Sequence, residues 1–110
     1  MGAGNVNRDN LDAALDLLVV AICQGFEERR RAIESGSYGK RTLMEYEYIN
    51  RRVAEAAREI VGFDYDIYIN EIGNKIGYAK SEVCDVCETE YKRLKKEVKL
   101  NVARRLHLFD

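Results

Sequence analysis

The stretch Ile69-Asn-Glu-Ile-Gly-Asn-Lys-Ile-Gly-Tyr-Ala-Lys-Ser-Glu-Val83 decides how the chain folds. Gly73 is followed four positions on by Gly77, and six further on by the apolar Val83. A compact helix-turn-helix asks for this order: a small residue where two helices cross, a glycine where the chain turns, and an apolar residue that pins the second helix. Ile72, Ile76, Tyr78 and Val86 are apolar where such a unit needs core contacts.

Beyond Gly77 the chain divides in two ways. If Tyr78 to Lys80 is a tight turn, the next helix begins at Ser81 and presents Glu82, Asp85 and Glu88, which repel phosphate. If Tyr78 to Glu88 is a longer connection, the helix begins near Thr89 and presents Lys92, Arg93, Lys96 and Lys99. Its apolar stripe of Tyr91, Leu94, Val98, Val102 and Leu106 then faces the core and leaves the cations on the other side. Charge favours the second division. Residues 91–110 hold seven cations against Glu97 and Asp110, a balance of +5, so a formal net charge of -1 leaves -6 on the first ninety residues. A local basic patch of this kind attracts a polyanion by releasing its condensed counterions, whatever the overall charge.

Working outward, the chain reads as helical throughout. There is no proline, apolar residues make up 46% and charged ones 34%, so the turn punctuation that a sheet protein needs is missing. Asp9 or Asn10 can cap a first helix with apolar positions at Leu11, Ala14, Leu15, Leu18, Val19, Ile22, Phe26 and Ile33, reaching about Glu34. Leu17 to Cys23 is apolar on every side, as if buried by more than one neighbour or by a dimer contact. Ser35-Gly-Ser-Tyr-Gly-Lys breaks that helix, and Thr42-Leu-Met-Glu45 has the spacing of a capping box for the next. The second helix carries a stripe through Tyr46, Ile49, Val53, Ala57 and Ile60 and stops at Gly62; a short third helix, opened by Asp64 or Asp66, runs to Gly77. The expectation is an all-α fold of four or five helices: a flexible tail at 1–9, then one helical domain at 10–110, in which a long helical hairpin (10–62) packs on a helix-turn-helix-like unit (64–107). A chain of 110 residues is long enough to fold as one domain without staples.

The segment Cys87-Glu-Thr-Glu-Tyr-Lys-Arg-Leu-Lys-Lys-Glu-Val-Lys-Leu-Asn-Val-Ala-Arg-Arg-Leu-His-Leu108 resembles the C-terminal end of small Gram-positive prophage regulators of the ArpU and RinA kind, whose helix-turn-helix is similar to region 4 of sigma factors. Those proteins place a capping residue before Tyr-Tyr-Arg-x-Lys-like residues and close on Ala-x-x-Leu. Tyr91, Arg93, Lys95, Ala103 and Leu106 fit, Glu90 replaces the first aromatic residue, and Cys87 stands where a serine is usual. Gln24 to Asn50 also looks like the leading half of prophage proteins with this ending. The resemblance implies a sequence-specific DNA-binding transcription regulator, with the basic helix in the major groove of double-stranded DNA and RNA polymerase as a further candidate partner. A homodimer through the first helix is the expected assembly. The candidate contacts are Lys92, Arg93, Lys96 and Lys99, with Lys95, Lys80 and Arg104 in support; Arg93 best suits a guanine edge, since a guanidinium bonds it bidentately. Four to six phosphate contacts give a slope of log affinity against log salt of roughly -4 to -5. A helical assembly or protein-interaction module without DNA binding is the alternative, favoured by Leu17 to Cys23 and by the acidic majority of the chain.

Enzymatic chemistry finds little footing, and no cofactor or metal is expected. The single His107 suits a helix C-terminus, and Asp64 and Asp66 suit a helix start. Cys84-Asp-Val-Cys87 has the spacing of half a zinc site or a redox pair; a tetrahedral zinc would have to draw Cys23 and His107 from opposite ends of the chain, so ordinary thiols are expected. The tyrosines fall at helix spacing, as core edges rather than as a base-stacking platform. The longest apolar run is far short of the about eighteen residues of a membrane span, and residues 1–6 have neither a signal-peptide layout nor a myristoylation Ser or Thr. With three cysteines, an odd number, this leads to an expectation of a cytoplasmic protein.

Overall fold

Asp12 opens the first helix: its carboxylate accepts the Leu15 N–H at 2.9 Å and so satisfies a donor that the first turn leaves free. The computed structural model describes residues 11–109, and the tail expected at 1–9 lies outside them; Asp9 and Asn10 also lie outside, but with Asp12 as N-cap and α1 starting at Ala13 neither caps this helix, and Leu11 precedes it. The described chain is all α: α1 (Ala13–Gln24), α2 (Phe26–Ser35), α3 (Lys40–Val61), α4 (Tyr65–Gly73) and α5 (Glu88–Arg105), with 3-10 turns at Gly62–Asp64 and Tyr78–Lys80.

The single helix expected from residue 10 to Glu34 is two helices, broken at Gly25. Arg29 causes the break. Its guanidinium folds back into the space that a side chain at residue 25 would fill, one nitrogen lying 2.6 Å from the ideal Cβ position. It donates to the Ile22 carbonyl at 2.5 Å, the group that an unbroken helix gives to Phe26 N–H. The buried Asn50 of α3 ties this joint down: Oδ1 accepts from Arg29 Nε at 2.6 Å, and Nδ2 donates to Phe26 O at 3.0 Å.

The capping box at Thr42–Glu45 is not used. A hydroxyl pair between Ser35 and Ser37 (2.6 Å) closes the preceding loop, Gly36 takes a left-handed φ of 65°, and α3 starts at Lys40 behind Gly39, which puts Thr42 inside the first turn. Val53 and Ala57 of the expected stripe are fully buried, Ile49 and Ile60 partly so, and Gly62 caps the C-terminus as expected.

α4 ends at Gly73, not Gly77. Here α4 crosses the end of α1 so closely that a Cβ on Gly73 would lie 2.6 Å from the backbone N and Cα of Gln24. The small residue therefore serves a crossing with α1. Lys75, at φ 57°, closes a Schellman turn: Ile76 N–H reaches Glu71 O at 2.9 Å and Lys75 N–H reaches Ile72 O. His107 repeats this geometry at the end of α5, with Leu108 N–H on Ala103 O at 2.9 Å.

The main core gathers Val19 and Cys23 of α1, Phe26 of α2, Val53, Ala56 and Ala57 of α3, Ile69 and Ile72 of α4, and Val98, Val102 and Ala103 of α5. Alanines at 56, 57 and 103 allow α3 and α5 to approach closely. A polar clasp secures that pair: Asn101 donates to Ala56 O at 2.9 Å and to Glu59 at 2.7 Å, and Arg105 bonds Glu55 and Glu59. The apolar run of α1 is buried on one side only. Val19 and Cys23 face the core, while Leu17 and Leu18 remain 62% and 44% exposed, because α4 and α5 cover the same face and nothing described covers the other.

Candidate nucleic-acid interface

Glu71 organises the approach to α5. It is 1% exposed, and its carboxylate accepts from Ser81 Oγ (2.6 Å), Glu82 N–H (2.7 Å) and the Tyr91 hydroxyl (2.7 Å). Three donors compensate a buried charge that would otherwise be costly. They also fix the path of the chain: Ser81 Oγ in turn accepts Val83 N–H, so Val83 is buried beneath the connection. Tyr68, Tyr78 and Tyr91 pack around these groups with ring centroids 5.5 to 5.8 Å apart, and Tyr78 donates to Val86 O at 2.9 Å. Burial, aided by the bond to Glu71, pushes the Tyr91 phenol up to about 12. Tyr68 and Tyr91 are therefore fully buried, deeper than the core edges expected of them, while Tyr78 is partly buried beside them and Tyr48 is exposed.

The connection from Asn74 to Cys87 is accordingly long, and α5 starts at Glu88, one residue from the expected Thr89. Cys87 is the N-cap and makes no side-chain cap bond, so the first N–H groups of α5 lack the partner that a serine would give.

The candidate cations fall into two groups. Lys80, Lys92, Arg93, Lys96 and Arg104 are exposed. Lys92 pairs with Glu88 at 3.0 Å one turn away. Arg93 is held between Glu90, at 2.5 Å, and Glu97; its hydrogen bond to Glu90 raises the guanidinium pKa and lowers that of the carboxyl. Among the described residues Lys96, Lys80 and Arg104 have no ion pair. Arg104 stands about 18 Å along the helix axis from Lys92.

Lys95 and Lys99 are engaged within the fold. Lys95 donates to Ile76 O at 2.8 Å and lies 5.0 Å from the Tyr91 ring centre, and burial lowers its pKa. Lys99 is 25% exposed and bonds Asp16 of α1 at 2.7 Å. The acidic residues Glu82, Asp85 and Glu88 are exposed around the start of α5.

The cysteines do not meet. Cys23 is in the core, where burial pushes its thiol up to about 12, while Cys84 and Cys87 are exposed on the connection. Among the described residues no three His, Cys, Asp or Glu side chains gather in a way that could hold a metal, and no helix is long and apolar enough to cross a membrane.

Sequence reading missed Glu71, Asn50 and Asn101, the three buried polar residues of the described chain. The signal for Glu71 is present: it lies between Ile69 and Ile72 and three residues after Tyr68, on the buried side of α4. Fold and site thus define an all-α domain in which a basic helix is braced by a short helix and a long connection. Comparison with known proteins adds no relative: no family model, no curated protein and no solved structure matches the chain.

Proposed function

We propose that the protein is a cytoplasmic DNA-binding transcription regulator that lays α5 in the major groove and uses α4 as its brace. The observation that carries this reading is the anchoring of Tyr91 on Glu71, Tyr68 and Tyr78, which turns Thr89, Lys92, Arg93 and Lys96 outward from the first three turns of α5. The resemblance of Cys87 to Leu108 to prophage regulators supports it independently. Lys92 and Lys96 meet phosphate on this reading, with Lys80 and Arg104 as flanking contacts. Arg93 reads a base after leaving Glu90 and Glu97, an exchange that costs little because exposed ion pairs are weak in water. Lys95 and Lys99 hold α5 in place instead. Four phosphate contacts give a slope of log affinity against log salt of about -3.6. Titration of a random-sequence duplex followed by fluorescence anisotropy at 50 mM salt tests the reading, and absence of binding there removes it. Selection of bound duplexes from a random pool then identifies the site.

A second reading, a helical assembly module that binds protein and not DNA, is favoured by the acidic rim of Glu82, Asp85 and Glu88 at the end of α5 that a recognition helix puts into the groove. A ring of many subunits in solution, together with failure of the duplex titration, is the outcome that selects it.

A further inference from the structure

Cys84 and Cys87 lie outside both hydrophobic clusters, exposed and with free thiols on the connection, whereas Cys23 is 2% exposed in the core. Only Asp85 and Val86 separate the two, and the chain bends at both. A four-residue segment bent at its central residues has the form of an open β-turn, whose ends stand within about 7 Å. A disulfide spans Cα atoms about 4.4–6.8 Å apart.

Neighbouring residues hold both cysteines in place. Val83, immediately before Cys84, is buried, and its N–H donates at 2.9 Å to Ser81 Oγ, which Glu71 fixes in turn. Val86, immediately before Cys87, accepts the Tyr78 hydroxyl on its carbonyl at 2.9 Å. The Cys87 carbonyl accepts Tyr91 N–H at 2.9 Å, the first bond of α5, while the Cys87 side chain makes no cap bond. Each thiol therefore hangs from backbone that the fold positions. Two reacting groups held close together in this way join far more readily than the same groups on a flexible chain.

We infer that Cys84 and Cys87 are a reversible redox pair, oxidised by a low-molecular-weight disulfide to a bridge across the bend that leads into α5. Exchange takes two steps. One cysteine thiolate attacks a sulfur of the small disulfide, whose S–S bond breaks and whose first half leaves as a thiol. The other cysteine thiolate attacks the protein sulfur of this mixed disulfide and expels the second half. Two protein thiols are oxidised, the small disulfide is reduced to two thiols, and the two protein protons pass to them. In a reducing compartment such a pair senses oxidant and is not a permanent staple. The inference does not depend on DNA binding: the bridge ties the connection anchored on Glu71 to the N-cap of α5, whatever α5 meets.

Cystamine is the probe, because its two amines suit the exposed carboxylates of Glu82, Asp85 and Glu88 around the pair. The full chain is incubated with it, quenched in acid, denatured, alkylated with N-ethylmaleimide and weighed by mass spectrometry. The expected product is a monomer that has lost two hydrogen atoms and carries a single alkylated thiol, Cys23, in place of the three of the reduced chain. Cys84→Ser and Cys87→Ser each stop at a mixed disulfide that keeps one cysteamine. Closure of the bridge is several-fold faster in the folded chain than in urea, and the bridged chain unfolds at a higher urea midpoint than the reduced one. Covalent dimers as the main product overturn the proposal, as does a folded chain that retains a cysteamine on each cysteine. So does closure no faster in the folded chain than in urea, or a bridged chain whose midpoint is unchanged or lowered.

Discussion

At the scale of single residues, Glu71 and Tyr91 form the contact on which the presentation of α5 depends. Tyr91 is 1% exposed, and its hydroxyl lies 2.7 Å from Glu71 and 3.1 Å from Ile76 O. Tyr91→Phe removes that donor and leaves Glu71 with two, so it lowers stability near neutral pH by about 1–2 kcal/mol in urea unfolding. The effect has a pH signature. The phenol titrates near 10 when unfolded and near 12 when folded, so its contribution is fully present below pH 10 and is lost as pH rises through 12. The gap between parent and Tyr91→Phe therefore closes across that window. Cys23 is held up in the same range but is common to both proteins, so the difference between them isolates Tyr91. An unchanged gap between pH 10 and 12 would show that the phenol is not held by burial and Glu71.

At the scale of elements, the crossing of α1 and α4 rests on Gly73. A methyl group there meets the Gln24 and Cys23 backbone, at 2.6 to 2.8 Å, and backbone cannot rotate away as a side chain can. Gly73→Ala should cost about 1–3 kcal/mol by forcing the helices apart. Gly77→Ala, at φ -89° and with nothing within 4 Å, should be neutral or stabilising by less than about 1 kcal/mol. Thermal unfolding of the two variants measures the contrast, and equal midpoints would refute the role of Gly73. That Gly73 marks a crossing was legible in sequence, because a small residue inside an apolar stripe has few other uses. Which helix it crosses was not, since the answer depends on α1, some fifty residues earlier. The same holds for the break at Gly25. Its cause, Arg29 reaching both Ile22 O and Asn50, joins groups seven and twenty-one residues apart. The capping box at Thr42 misled for a related reason: the pattern is local, but the serine pair that closes the loop moves the helix start ahead of it.

At the scale of the whole molecule, the distribution of charge separates cations that serve the fold from cations left to a ligand. Pairs along one helix, such as Lys92 with Glu88 and Arg93 with Glu90 and Glu97, could be read from spacing alone. Those that join distant elements could not: Lys99 meets Asp16, and Arg105 meets Glu55 and Glu59. A stripe that looks uniformly basic in sequence is therefore divided in space. Lys96 and Lys99 lie three residues apart on α5 and border the same hollow beside Asp16, yet only Lys99 bonds it. Lys96→Met should reduce duplex affinity several-fold at moderate salt and lower the salt slope by about one, since one phosphate contact is lost, while leaving the urea midpoint unchanged. Lys99→Met should do the opposite: the slope stays, and stability falls by up to about 1 kcal/mol, because Asp16 loses a partner across a half-buried helix contact. Measuring salt dependence and unfolding on the same two variants separates binding from folding. If both lower the slope equally, α5 rotates on binding and Lys99 leaves Asp16 for phosphate; if neither does, α5 is not the surface that meets DNA.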